Sequence, residues 1–102
     1  MTLIVKSPVW DDLRKIGKRI AKNNRDAADR FFTAAEQTFE LLSQHPRIGR
    51  VRSFSIPGVR SWAVSGFPNY LIFYLPTATE IQILAVLHGA RDLPRVIEER
   101  LE

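Results

Sequence analysis

An uncharged run of 19 residues, Ser61–Thr79, is the feature that most limits what this chain can fold into. Within it, Tyr70–Leu75 is apolar at every position, so a strand formed by these residues needs cover on both faces. Such a strand lies at the centre of a sheet, with other elements packed on either side. The sequence therefore predicts a fold built around a buried central strand.

Two further strands are predicted beside the central one. Trp62–Val64 precedes it across a turn at Gly66–Asn69, and Glu80–Leu87 follows it after a turn that begins at Pro76. Because the connections are short, the three strands must form an antiparallel meander. Alternation in the last strand predicts one apolar face made of Ile81, Ile83, Ala85 and Leu87.

The N-terminal part predicts a strand followed by a helix. Residues 2–6 are a short β-prone run. Ser7 then has the side chain of an N-cap, and Pro8 suits the first helical position, where no hydrogen-bonded N–H is needed. This helix runs to about Lys22, with apolar residues at helical spacing on one side and basic residues on the other.

A second helix is predicted to begin after an Asn24 cap and to end near Ser43, so the two helices form an antiparallel hairpin. A last short helix, Leu93 to about Leu101, follows a cap at Asp92. The predicted order is β-α-α-β-β-β-α. We expect one α+β domain over residues 1–102, with two layers, the helical hairpin packed on an antiparallel sheet. The hairpin residues expected in its core are Val9, Leu13, Ile16, Phe31, Phe32 and Phe39.

Charge is distributed unevenly along the chain, whose formal net charge is +4. Residues 1–52 carry eleven basic and six acidic residues, a net charge of +5, and the remainder carries −1. No acidic residue lies between Leu41 and Thr79, a stretch that contains Arg47, Arg50, Arg52 and Arg60. A positive surface of this kind attracts nucleic acid or an acidic protein segment, although a solvated surface with scattered arginines explains the same pattern.

Several kinds of site are not expected. The chain has no cysteine, two histidines and no cluster at metal-ligand spacing, so neither a metal site nor a cofactor is predicted. The adjacent carboxylates of Asp11–Asp12 and Glu98–Glu99 are expected to face solvent, because neighbours along a helix do not face each other. With no apolar run of about 20 residues and no signal-like N-terminus, we expect a cytoplasmic protein without membrane association.

The segment Val86–Leu93 contains the best candidate site. The predicted strand ends there, Gly89 permits a sharp turn, and His88 and Arg91 gather at the sheet's end. With Arg60 from a neighbouring strand, these side chains predict a cationic spot for phosphate or carboxylate. The alternative is a plain turn in which Asp92 caps the last helix and pairs with Arg91.

Four stretches of the chain, in order, match a known pattern. They are Trp10–Ile16 with Ile20–Ala21, Asn24–Ala28 leading to Arg30–Phe31, the loop His45–Arg50, and Ile83–Leu93, which is the most specific. With these, the chain resembles the RelE/ParE superfamily of type II toxin–antitoxin toxins, and within it the ParE-like branch. That family's β-α-α-β-β-β architecture agrees with the order predicted above.

The resemblance implies a bacterial toxin neutralised by a cognate antitoxin, with which it assembles as a heterotetramer or larger, and a role in plasmid stabilisation. An acidic and apolar C-terminal segment of the antitoxin is expected to fold across the basic helices and the sheet. The residues predicted to contact the antitoxin are Trp10, Arg14, Lys18, Trp62 and Tyr70. The ParE-like branch implies DNA gyrase as the target, inhibited without a catalytic site. We expect the target to be contacted through Arg50, Arg60, His88 and Arg91, because these are the few cationic groups at the end of a largely uncharged sheet.

The RelE-like branch implies a different activity, ribosome-dependent cleavage of messenger RNA, for which the matching residues are Arg60, His88 and Arg91. The sequence departs from that branch in two places. Asn69–Tyr70 stands where an arginine begins the central strand, and His88–Ala90 stands where a tyrosine or His-Tyr pair often follows the last strand. These departures favour gyrase inhibition over the ribonuclease. An inactive family member that only binds its antitoxin is the third alternative.

Overall fold

The computed structural model describes residues 1–102 and confirms the predicted order of elements, with one short strand added. The elements are β1 (Thr2–Val5), α1 (Ser7–Ala21), α2 (Arg25–Gln44), β2 (Arg50–Val51), β3 (Arg60–Val64), β4 (Phe67–Pro76), β5 (Glu80–His88) and α3 (Leu93–Leu101). The added strand is β2, which has two residues and pairs with the start of β3. None of the helices is both long and apolar enough to cross a membrane.

The five strands form one sheet in the order β1-β5-β4-β3-β2, with β4 at its centre as predicted. The meander β3-β4-β5 is antiparallel, which confirms that expectation. The sheet as a whole is mixed, because β1 pairs with β5 in parallel. The helical hairpin explains this direction: it returns the chain across one face, and parallel pairing needs such a crossover.

The helical hairpin covers one face of the sheet. Its core contains Val9, Leu13, Ile16, Phe31, Ala35, Phe39 and Leu42, packed on Ile72, Tyr74, Ile81, Ile83 and Val86 of the sheet. Phe31 is completely buried and contacts the rings of Phe67 and Tyr70 edge to face. Phe32, expected in the same core, is only half-buried and packs at the edge of it, over Gly17 of α1.

The opposite face of the sheet is also covered, so the fold has a local third layer that the two-layer prediction omitted. Its core contains Phe73, Ala85 and Leu87 from the sheet and Val96 and Ile97 from α3. The loop between β2 and β3 closes this core: Phe54 packs against Phe73, and the Ser55 N–H donates to Glu98 Oε1 at 2.8 Å. Glu98 is therefore half-buried and engaged rather than solvent-facing.

A bulge in β5 divides the face that alternation predicted to be continuous. Ile83 and Ala85 pair with consecutive residues of β4, so Leu84 between them has no partner. The bulge reverses the alternation: Ile81 and Ile83 face the hairpin, whereas Ala85 and Leu87 face α3. The prediction of a single apolar face in this strand was therefore wrong.

Two local signals gave different outcomes. Asn24 caps α2, since its Oδ1 accepts the Ala27 N–H at 3.0 Å, as predicted. Ser7 does not cap α1; it is the first helical residue, and Lys6 holds the N-cap position without a side-chain hydrogen bond.

The β3–β4 turn is Ser65–Gly66, earlier than expected, and Gly66 adopts φ +80°, which favours glycine.

Candidate functional site

The structure places the four predicted target-binding residues in two separate regions. Arg60 lies opposite Tyr74 of β4, whereas His88 lies opposite Tyr70, four residues away. That offset is about 13 Å along a strand, and β3 and β5 lie on opposite sides of β4. Arg60 is joined in its region by the exposed Arg50 of β2, and His88 by Arg91. The four therefore do not form one cationic spot.

Arg60 anchors a loop. Its guanidinium donates to the Gly49 carbonyl at 2.8 Å and to the Arg47 carbonyl at 3.2 Å. Beside it, the buried Tyr74 hydroxyl accepts the Gly49 N–H at 2.8 Å and donates to the Pro46 carbonyl at 2.9 Å. Burial raises the pKa of Tyr74, while the Gly49 N–H and the Arg60 charge act in the opposite direction. The loop before β2 is thus held by side chains of β3 and β4.

Gly49 is required by this arrangement. A Cβ atom at that position would overlap the Tyr74 hydroxyl, which approaches the backbone closely in order to bond the Gly49 N–H. The loop His45–Arg50, one of the four stretches that carried the resemblance, therefore has a structural explanation for its glycine.

His88 and Arg91 line a cleft of about 290 Å³ between α1, the end of β5 and α3. We call it the basic cleft. Its charged and aromatic lining consists of Asp12, Lys15, Arg19, Tyr70, His88, Arg91, Arg95, Glu99 and Arg100. Two walls therefore carry cations, one on α1 and one on α3 with the turn before it.

The floor of the basic cleft is an ion pair between Asp12 and Arg100. Asp12 is 7% exposed; its Oδ1 accepts from Arg100 at 2.6 Å, and its Oδ2 accepts from Arg100 and from the Val86 N–H, both at 3.0 Å. Arg100 also donates to the Leu84 carbonyl at 3.0 Å. The expectation that Asp12 faces solvent was wrong, because Asp12 lies on the inner side of α1.

This ion pair replaces a missing strand. The pairing of β1 with β5 ends at Val5 opposite Ile83, so the backbone of β5 beyond that point has an open edge. The Leu84 carbonyl and the Val86 N–H on this edge bind the side chains of Arg100 and Asp12 instead. The buried polar backbone is thereby satisfied, and α1, β5 and α3 are tied together.

The other charges of the cleft fall into two groups. Arg95 pairs with Asp92 and with Glu99, each at 3.4 Å, in contacts that are largely exposed. Asp92 therefore pairs with Arg95 and not with Arg91, and it makes no capping bond to α3. Lys15, Arg19 and Arg91 are exposed and make no salt bridge. These three cations are the ones available to a ligand.

His88 is held in a defined orientation. Its Nδ1 accepts the Ala90 N–H at 3.0 Å, and its ring lies edge to face against Tyr70, with centroids 5.2 Å apart. Because Nδ1 is an acceptor, the proton of the neutral ring is on Nε2. The side chain therefore offers a hydrogen-bond donor.

Sequence reasoning missed Lys15, Arg19 and Asp12 as parts of this site. The two cations are four residues apart, so they share one face of α1, but only the fold shows that this face borders the end of β5. Asp12 carried a clearer signal. It lies three residues after Val9 and four before Ile16, which puts it on the buried stripe.

The predicted antitoxin contacts are distributed over several elements. Arg14 and Lys18 line a second depression, of about 460 Å³, between α1 and α2, which we call the hairpin groove. The groove is completed by Gly17, Ala21, Arg25, Ala28, Asp29 and Phe32. Trp10, 48% exposed, lies one turn before Arg14, and Trp62, 39% exposed, lies on β3. Tyr70 lines the basic cleft instead.

Comparison with known proteins agrees with this architecture. The chromosomal ParDE toxin–antitoxin system from P. aeruginosa contains a chain that superimposes with a TM-score of 0.70, over 86% of this chain and 95% of that one, at 21% identity. The curated Toxin ParE3 of Caulobacter vibrioides is 31% identical over 87 residues, which is 84% of each protein. The family model described as "ParE toxin of type II toxin-antitoxin system, parDE" matches residues 3–93. The chain therefore belongs to the ParE toxin family of type II toxin–antitoxin systems.

Proposed function

We propose that this ParE-family toxin inhibits DNA gyrase, that it contacts its target through the basic cleft, and that a cognate antitoxin neutralises it. The single observation that carries the site is the set of three cations without salt bridges, Lys15, Arg19 and Arg91, on two walls of one cleft. Cations in this state are free to bind an anionic partner without first breaking internal pairs.

The geometry supports target binding over ribonuclease chemistry. Cleavage of RNA needs a base, an acid and charge stabilisation at one phosphate. The three residues implied for it are divided, since Arg60 bonds the loop carbonyls while His88 and Arg91 lie in the cleft. The carboxylates lining the cleft, Asp12 and Glu99, are already engaged by arginines. Of the three residues implied for cleavage, His88 alone has a side chain that transfers a proton, because arginine stays protonated.

Inducible expression in bacteria, with growth as the readout, tests the proposal. We expect the wild-type protein to stop growth and, when purified, to inhibit supercoiling by gyrase. Arg91→Ala should abolish both effects, because it removes one of the three unpaired cations of the cleft. The fold should be unaffected, since the Arg91 side chain is exposed and makes no salt bridge. Arg30→Ala, an equal loss of charge on the exposed face of α2, is the matched control and should stay toxic. Growth at the normal rate with the wild-type protein would instead indicate the inactive alternative.

His88→Ala separates the two mechanisms. In a gyrase inhibitor the loss of one weak contact should leave most of the toxicity, and messenger RNA should remain intact. In a ribonuclease the loss of the proton-transferring group typically lowers the rate by about 10²- to 10⁴-fold. Cleaved messenger RNA in cells that express the wild-type protein, absent with His88→Ala, would overturn the gyrase assignment.

The hairpin groove is the proposed docking site for part of the antitoxin. Its floor is apolar at Gly17, Ala21 and Phe32. Its rim carries three cations and one carboxylate, and Lys18 and Arg25 are the cations without a salt bridge. An amphipathic segment with apolar residues on one side and acidic residues on the other fits that pattern. Trp10 and Trp62 provide exposed apolar area for the rest of the segment. We expect the complex to be a heterotetramer or larger, which light scattering of the purified complex measures.

A further inference from the structure

We infer that the basic cleft binds the phosphodiester backbone of a nucleic acid strand. This inference rests on the proposed function and deepens it, because it names the chemical group that the cleft recognises when the toxin meets its target. A phosphodiester backbone is present both in DNA bound by gyrase and in free RNA. The experiment below therefore compares a DNA strand with an RNA strand.

The arrangement of charge is the first argument. Lys15 and Arg19 extend from α1, and Arg91 extends from the turn opposite them, so the cations stand on both sides of one groove. Arginine forks bind phosphate oxygens in a bidentate manner, and a backbone that runs between two walls meets cations on each side. Lys22, exposed at the end of α1, extends the row from Lys15 and Arg19 beyond the cleft.

The floor of the cleft does not repel an anion. Asp12 has both carboxylate oxygens engaged by Arg100, and Glu99 accepts from Arg95. Each acidic side chain in the lining is thus paired with an arginine, although Arg95 is shared with Asp92, and three cations of the lining remain unpaired. A phosphate entering the cleft therefore meets net positive charge on its walls and a neutral pair beneath.

The aromatic groups favour nucleic acid over an acidic peptide. Tyr70 and His88 are half-buried neighbours in the lining of the cleft, and His88, whose Nδ1 accepts from Ala90, leaves Nε2 free for a ligand. Grooves that hold single strands combine a row of cations with aromatic side chains beside the bases. A run of carboxylates requires cations but no rings, so the composition of the lining indicates a strand.

Fluorescence anisotropy with a labelled oligothymidylate of ten nucleotides and an oligouridylate of the same length tests the inference. We expect binding at low salt, and a loss of about five-fold in affinity with either Arg19→Gln or Arg91→Gln. Each substitution should also reduce the slope of log affinity against log salt by about 0.7, the value for one phosphate contact with a single strand. Arg30→Gln, an equal change of charge outside the cleft, should leave affinity and slope unchanged.

Three results would overturn the inference. These are an absence of oligonucleotide binding, an equal loss with Arg30→Gln, and tighter binding of a ten-residue oligoglutamate than of either oligonucleotide. Tighter binding of the oligothymidylate would indicate DNA as the source of the bound phosphodiester, and tighter binding of the oligouridylate would indicate RNA. Either preference supports the inference. Gyrase is absent from the assay, so a toxin that binds the strand normally but does not inhibit gyrase would contradict the proposed function alone.

Discussion

The Asp12–Arg100 pair shows how two side chains can substitute for part of a sheet. Both side chains bond backbone groups of β5 that β1 is too short to reach, so their role goes beyond mutual attraction. Removing one partner leaves a buried charge without compensation, whereas removing both leaves only two backbone groups to satisfy. The energetic effects of substitutions at the two positions should therefore not be additive.

We expect Arg100→Met to lower the free energy of unfolding by about 3–5 kcal/mol, because Asp12 then stays buried with the Val86 N–H alone. The double variant Asp12→Leu with Arg100→Met should cost less than the sum of the single variants. Urea denaturation of the four proteins measures this. Additive losses would show that the pair acts through two independent contacts.

Tyr74 is a second buried residue whose side chain bonds backbone groups, since its hydroxyl both accepts and donates a hydrogen bond. Its hydroxyl bonds Gly49 and Pro46 and so fixes the loop that leads into β2. In the folded protein the ring is buried and the pKa of the hydroxyl is raised, so the folded state holds this proton more firmly than the unfolded chain does. Stability should therefore depend on pH in the alkaline range.

We expect Tyr74→Phe to destabilise the fold by about 1–3 kcal/mol at neutral pH, since the buried Gly49 N–H loses its acceptor. The wild-type protein should lose stability as pH rises above about 10, where the unfolded tyrosine ionises and the folded one does not. Tyr74→Phe should lose less over that range. Denaturation midpoints of the two proteins from pH 8 to 11 measure the difference, and parallel curves would contradict it.

At the scale of elements, α2 buries adjacent phenylalanines to different extents. Phe31 is completely buried between α2 and the sheet, whereas Phe32 points over Gly17 towards α1 and stays half-exposed. The sequence predicts both in the core, since both fit an apolar stripe. Phe32 instead packs where α1 meets α2 at Gly17, which leaves only Phe31 of the two in the core between α2 and the sheet.

We expect Phe31→Ala to reduce the free energy of unfolding by about 3–5 kcal/mol, the usual cost of truncating a buried phenylalanine. Phe32→Ala should cost roughly half of that, because its ring is already partly solvated. Thermal or chemical denaturation of the two variants checks the order. Equal losses would mean that Phe32 is packed as tightly as Phe31.

Local patterns predicted which elements exist, and longer-range contacts decided how they meet. The apolar run at Tyr70–Leu75 identified the central strand, and Asn24 identified the start of α2. The bulge at Leu84 and the parallel direction of β1 depend on neighbours far along the chain, so periodicity within one segment does not reveal them. The same holds for Asp12, whose partner lies 88 residues away.

The candidate site was predictable to the extent that its residues are close in sequence. His88 and Arg91 share a turn, and the structure brings them into one cleft. Arg60 lies on the neighbouring strand β3, but the register places it opposite Tyr74, four residues from the partner of His88. The sequence does not single out Lys15 and Arg19, because a basic helical face is usually solvated surface and only packing shows which part of it borders another element.

At the scale of the whole molecule, α1 separates two basic surfaces. Lys15 and Arg19 face the basic cleft, whereas Arg14 and Lys18 face the hairpin groove. Four of the eleven basic residues in 1–52 are thus divided between two depressions that flank α1, which are the two surfaces proposed for recognition. Target binding and antitoxin binding should respond to different substitutions.

We expect Lys18→Gln to weaken binding of the cognate antitoxin and to reduce its salt dependence, because an acidic segment in the hairpin groove loses one cation. Trp10→Ala should weaken the same complex without changing its salt dependence, since that contact is apolar. Arg91→Ala, in the basic cleft, should leave antitoxin affinity unchanged. Calorimetric titrations at 50 and 500 mM salt measure all three, and a complex that forms equally well at both concentrations would exclude electrostatic docking in the groove.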